Sequence, residues 1–134
     1  MGSLRVLLAE DHQDVANRLR HLLETEFEVI GVVGDGGGLV EAVDQMMPDV
    51  IVSDLNLPVS DGLSAARVIL TRHPNARIVF VTVADDPRIV RRAVLLGALG
   101  YVVKSDAAEE LLTAVRAAWS GQLHLSTSVR ESLN

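Results

Sequence analysis

Five times along this chain a short apolar run gives way to a longer stretch with helical periodicity. That alternation restricts the fold more than any other feature of the sequence. Leu4–Ala9 reads as a strand, and "DHQDVANRLRHLLETE" follows it with apolar residues at 15, 19, 22 and 23, the spacing of an amphipathic helix. Glu28–Val33 is a second strand, and Leu39–Met47 a helix that stops before Pro48. "DVIVSD" is a third strand, Gly62–Arg72 a third helix, and "ARIVFVT" a fourth strand. "DPRIVRRAVLLG" is a helix with Pro87 in its first turn. "GYVVK" is the fifth strand, and Asp106 with Glu109 three residues later suggests a capping box opening a helix to about Trp119, stopped by Gly121. Strands in alternation with helices make a parallel sheet, and strands as apolar as "VIVSD" and "IVFVT" suit burial on both faces. The fold class is therefore α/β, one domain with helices on both sides of the sheet.

Composition narrows the function. Eighteen acids against twelve basic residues give a net charge of −6, and aromatic residues make up 3% of the chain, so neither phosphate contacts nor base stacking are provided for. Direct nucleic-acid binding by this chain is not expected. No apolar run reaches membrane-spanning length, and the opening "MGSLRVLLAEDHQD" lacks a leader's cleavage site. With no cysteine there is no disulfide framework, in keeping with a cytoplasmic location.

In open parallel sheets, ligands bind beyond the carboxyl ends of the strands. The residues standing there are Glu10 and Asp11 after the first strand, Asp54 after the third, Thr82 after the fourth and Lys104 after the fifth. Lys104 is the chain's only lysine; the other basic residues are all arginine. Three carboxylates meeting at one rim repel, which a hard divalent cation such as Mg²⁺ relieves. A hydroxyl and a compact ammonium beside them suit a phosphoryl group. Taken singly, each residue has a plainer use: Asp11 as a helix cap, Asp54 as part of a turn, Thr82 as structure, Lys104 as a solvated charge. The glycines of "GVVGDGGG" match neither a dinucleotide fingerprint nor a Walker loop and read as a flexible turn with a frayed helix start. His12, His21, His73 and His124 show no ligand spacing; His12 reads as surface or capping, and Trp119 as core.

"VLLAEDH", "VIVSDLNLPVSDG", "IVFVTVADD" and "GALGYVVK", in that order, resemble the receiver domain of bacterial two-component response regulators over about residues 4–121. The resemblance implies a flavodoxin-like (CheY-like) doubly wound sheet of five strands in the order 2-1-3-4-5. It also implies that Asp54 accepts a phosphoryl group from a sensor histidine kinase. Glu10 and Asp11 would hold Mg²⁺ with Asp54 and the backbone carbonyl of Asn56. Thr82 and Lys104 would contact phosphoryl oxygens, and Tyr101 would be the switch aromatic. Such a domain is not a turnover enzyme on an external substrate. A homodimer through the face of helix 4, strand 5 and helix 5 is a further expectation.

The tail "SGQLHLSTSVRESLN" is similar to the join before a LuxR-type helix-turn-helix in NarL/FixJ-type regulators, so residues 122–134 read as a linker or the start of a further region. Three positions depart from the family pattern. Ser105 stands where proline is common and predicts a trans bond. Val83 replaces a small residue and narrows access to the site. Leu99, near the signalling face, reads as an exposed leucine; Arg88, Arg91 and Arg92 lie on the same side as a solvated charge row. Two other classes are compatible with such a site, a phosphorylation-independent interaction module and an aspartyl phosphohydrolase. The second lacks the usual acid two residues after Asp54, where Asn56 stands.

Overall fold

The computed structural model describes residues 3–133. Its elements are β1 (Arg5–Ala9), α1 (Gln13–Glu24), β2 (Glu28–Val33), α2 (Gly36–Met46), β3 (Val50–Ser53), α3 (Gly62–Arg72), β4 (Ile78–Thr82) and α4 (Pro87–Leu96). Then follow β5 (Gly100–Val103), a 3₁₀ turn (Lys104–Asp106), α5 (Ala107–Trp119), β6 (His124–Leu125) and α6 (Thr127–Leu133). All strand pairs are parallel, and the sheet order is β2-β1-β3-β4-β5-β6.

Strand side chains alternate between two apolar layers, as the pleat requires. Leu7, Ile51, Phe80 and Tyr101 face α2, α3 and α4, where Leu39, Val43, Ala65, Ile69, Val90 and Ala93 meet them. Val6, Leu8, Val52, Val79, Val81 and Val102 face Leu19 and Leu23 of α1 and Leu111, Val115 and Ala118 of α5. Each fully buried Leu or Val contributes on the order of 2 kcal/mol of transfer free energy. This two-sided burial holds the strands in register and delivers their carboxyl ends to one rim.

Side chains start three of the helices. Asp35 accepts from Gly38 N–H at 2.6 Å, Asp61 from Ser64 N–H at 2.8 Å, and Asp86 from Arg88 N–H at 2.9 Å ahead of Pro87. The glycine run is thus the first turn of α2 rather than a frayed start, because Asp35 caps it. Asp11 does not cap α1; His12 occupies that position without a side-chain bond to the helix's free N–H groups. Nor does Asp106 close a capping box, since its carboxylate is turned towards Ser128. Trp119 is 43% exposed, lying just off the buried stripe Ala107, Leu111, Ala114, Val115 and Ala118, and Arg77 stacks 4.7 Å above its ring. Leu99 is partly buried against the α1/α5 layer, whereas Leu95 of α4 is 86% exposed. No cis peptide bond occurs among the described residues, Ser105 included.

The largest difference from the sequence reading is in the tail. Among the described residues the sheet has six strands, not five, because residues 124–125 add β6 beside β5 and α6 then packs on α4 and β5. Val129 is fully buried in the α2–α4 layer, and Ser126 is fully buried as well. A two-residue strand carries no periodicity, so nothing in the sequence marked it. Asn134 lies outside the described residues.

Polar contacts fasten this tail to α5. Glu110 accepts from Thr127 N–H at 2.8 Å and lies 2.9 Å from His124 Nε2. Asp106 accepts from Ser128 N–H at 2.9 Å and from its hydroxyl at 3.0 Å. Burial raises both carboxyl pKa values, but the hydrogen bonds from Ser128 and from Thr127 outweigh it, and both groups sit below their ordinary values. A carboxyl lowered by folding stabilises the fold above its unfolded value, and that contribution is lost as pH falls through the folded value. Tail docking is expected to be intact above about pH 5 and to loosen below about pH 4. Hydrogen exchange of residues 124–133 against pH measures this, with the amides of β3 as the reference that stays protected.

Candidate functional site

The rim at the carboxyl ends of β1, β3, β4 and β5 gathers Glu10, Asp54, Thr82 and Lys104. Glu10 and Asp54 are each 3% exposed and Thr82 is fully buried. A buried carboxylate needs a counter-charge or donors, and here Lys104 supplies it. Its Nζ lies 2.8 Å from Asp54 Oδ2, as a hydrogen bond, and 2.6 Å from Glu10 Oε1. Burial lowers the Lys104 pKa, but the two carboxylates prevail and raise it, so the ammonium form is favoured. The Glu10 contact is ionic without hydrogen-bond alignment, which leaves Oε1 a buried oxygen with no aligned donor.

Backbone geometry holds the acids in place. Asp54 N–H donates to Ala9 O and Glu10 N–H to Val33 O, both at 3.0 Å, so each acid is pinned by the neighbouring strand. Asp54 Oδ1 accepts from Asn56 N–H at 3.1 Å, and Glu10 Oε2 from His12 N–H at 3.1 Å. Asp11 is more open, its side chain 31% exposed, with Oδ1 3.2 Å from His12 Nδ1. Glu10, Asp11 and His12 offer ligand atoms within 4.8 Å of one another. An unaligned buried oxygen beside an accessible carboxylate is a donor set of hard oxygens, which fits Mg²⁺.

The remaining predicted residues line the strand ends next to this cluster. Thr82 Oγ1 accepts from Ala84 N–H at 3.4 Å. Tyr101 is fully buried, and its hydroxyl donates to Ala84 O at 2.6 Å. Burial first, then the carboxylates of Asp85, Asp54 and Asp86, pushes its phenol pKa upward, so it remains a donor. Thr82 and Tyr101 thus meet at one residue of the β4–α4 loop. Val83 is 66% exposed beside Thr82. Arg88 pairs with Asp86 at 2.9 Å.

Three contributors escaped the sequence reading. Gly62 lets α3 begin against the backbone of Asp54: a Cβ there would overlap the Asp54 carbonyl oxygen and lie 2.8 Å from Leu55 Cα. Ser126 and Ser128 reach the lysine turn from the tail. Glycine before an apolar helix was a readable signal for the first; the serines had none.

A parallel sheet with a buried acid–lysine cluster at its carboxyl rim defines a receiver-type signalling domain. The response regulator receiver domain family matches residues 6–116, and the chain belongs to that family. It is 36% identical over 121 residues to the transcriptional regulatory protein YxjL of Bacillus subtilis (strain 168), covering 89% of this chain and 56% of that protein. It is 31% identical over 134 residues to the transcriptional regulatory protein DegU of Brevibacillus brevis, covering 98% and 57%. The chain therefore spans somewhat over half the length of these relatives.

Among solved structures, a LuxR-family two-component response regulator from Aurantimonas sp. SI85-9A1 superposes with a TM-score of 0.94 at 30% identity, covering 98% of this chain and 96% of that one. The isolated receiver domain of RcsB from Salmonella enterica serovar Typhimurium, in the presence of the phosphomimetic BeF3−, gives 0.90 at 26% identity, covering 99% and 100%. No described helix is long and apolar enough to cross a membrane.

Proposed function

We propose that Asp54 accepts a phosphoryl group from a phosphohistidine on a sensor histidine kinase. One carboxylate oxygen attacks phosphorus, the P–N bond breaks, and the imidazole leaves with the electron pair and takes up a proton. The observation that carries this reading is the contact of Lys104 Nζ with both Asp54 and Glu10 in a receiver fold. A metaphosphate-like transition state needs little beyond alignment and countercharge. Lys104 is already placed to transfer its contact from the carboxylate to a phosphoryl oxygen. Thr82 donates its hydroxyl to a second oxygen. Glu10, Asp11, Asp54 and the carbonyl of Asn56 would hold Mg²⁺, which supplies charge neutralisation when bound.

Movement of Thr82 towards the phosphoryl group pulls on Ala84, and so on the Tyr101 hydroxyl bonded to it. That link supports the switch role of Tyr101. The chain modifies itself and does not turn over an external substrate. The relatives' length supports an output region after residue 134, of the LuxR helix-turn-helix type, and a cytoplasmic regulator of transcription as the whole protein. Part of the α4–β5–α5 face is occupied within the chain by β6 and α6, so a homodimer there would use the open side of α4 around Leu95.

Incubation with acetyl phosphate and Mg²⁺, followed by intact mass measurement, tests this reading. A phosphoryl adduct that disappears with chelator is expected; no adduct, together with no Mg²⁺-dependent beryllofluoride binding, would overturn it. Lys104→Arg is expected to slow uptake tenfold or more although the charge is kept, because a planar fork cannot reproduce a point contact shared by two carboxylates. Stopped-flow measurement of the uptake rate would show it; a rate equal to that of the parent would mean that the charge at position 104 suffices without the ammonium's geometry.

A further inference from the structure

We propose that the C-terminal segment is a working part of the rim: Ser126 and Ser128 clamp the Lys104–Asp106 turn and so position Lys104. The inference rests on the reading of Lys104 as a phosphoryl contact. Lys104 opens a single 3₁₀ turn that contains no proline and no side-chain cap. Three bonds from the tail bracket it. On the near side, Val103 N–H donates to Ser126 Oγ at 3.1 Å in a fully buried setting. On the far side, the carboxylate of Asp106 receives Ser128 N–H at 2.9 Å and Ser128 Oγ at 3.0 Å. Below the turn, Ser126 N–H donates to Tyr101 O at 3.0 Å, so β5 is tied to the tail at both ends of the Tyr101–Val103 stretch.

Ser126 is the telling residue. A polar side chain with no exposed surface is costly unless its bonding is needed. Its oxygen satisfies the last β5 N–H before Lys104, a donor with no strand partner beyond β6. Val129, one turn further on, anchors the clamp in the apolar layer. Lys104 Nζ must reach two carboxylates just past the ends of two other strands at 2.6 and 2.8 Å, so a small shift of its backbone breaks the contact. Ser126 and Ser128 touch no reacting atom and are positioning residues.

Because Lys104 is the only lysine in the sequence, a sample labelled with lysine carrying ¹³C at Cε alone has one lysine side-chain carbon resonance. Ser126→Ala and Asp106→Ala are each expected to move that resonance towards the position of an unpaired lysine and to slow acetyl phosphate uptake about tenfold. Asp106→Asn, which keeps one acceptor oxygen for Ser128, should restore part of both. Ser132→Ala removes a tail contact to the Asp85 carbonyl, away from the lysine turn, and should move neither. A resonance unmoved by Ser126→Ala and Asp106→Ala overturns the clamp whatever the uptake rate. If Ser126→Ala does not fold, Asp106→Ala on the partly exposed turn decides the matter alone. A parent chain that takes up no phosphoryl group, while the resonance moves in the variants, overturns the phosphoacceptor reading and the clamp's catalytic purpose together.

Discussion

Asp54→Asn is expected to abolish phosphoryl uptake while leaving the fold intact. The amide has the shape of the carboxylate, and its oxygen can still accept from Asn56 N–H, as Oδ1 does at 3.1 Å. What it lacks is the charge facing Lys104 at 2.8 Å and a nucleophilic oxygen. Lys104 does not lose its partner, since Glu10 Oε1 remains 2.6 Å away. The cluster of Lys104, Glu10 and position 54 goes from two acids against one base to one against one, so buried like-charge repulsion falls. Stability should stay level or rise by about 1 kcal/mol. Intact mass after acetyl phosphate and Mg²⁺ should show no adduct, and thermal unfolding should show no loss. An adduct at the parent's rate would place the acceptor elsewhere in the chain. A variant that fails to fold would mean that the Asp54 charge is a structural requirement.

Gly62→Ala should damage the site as well as the fold. Gly62 opens α3 directly beneath the site, with its N–H donating to Leu55 O at 2.8 Å. The added Cβ would overlap the carbonyl of Asp54 and crowd Leu55 Cα, both of them backbone atoms that no rotamer change can move aside. Overpacking against backbone costs about 3 kcal/mol, equivalent to a fall in melting temperature of roughly 10 °C for a domain of this size. Any relief must come from shifting the segment that carries Asp54, so phosphoryl uptake should fall in the molecules that remain folded. A melting temperature within 2 °C of the parent would show that the helix start can slide away freely.

The elements that set the architecture were legible because burial writes them into the sequence. Strands covered on both faces are apolar up to their last residue, as in Val50–Ser53 and Ile78–Thr82, and the helices between them repeat at helical spacing. The strand-end position of Glu10, Asp54, Thr82 and Lys104 followed from that order, since a parallel sheet brings every carboxyl end to one side. Legibility failed where a few bonds rather than a pattern decide the structure. β6 has two residues, Ser126 is held by bonds to Val103 and Tyr101 and by close packing, and Asp106 pairs with Ser128 instead of the helix it precedes. Trp119 has the size of a core residue, but helix phase places it at the edge under Arg77.

The short sixth strand also has a consequence for how the molecule behaves in company. β5 is four buried residues, and without residues 122–133 one side of it would be a bare row of apolar, hydrogen-bonding backbone. Such an edge is a template for pairing with another chain. A strand of two residues followed at once by a helix closes it and offers almost nothing to the next molecule. A version ended at Gly121 should therefore be prone to self-association, with β5 of one molecule taking the place of β6 on another.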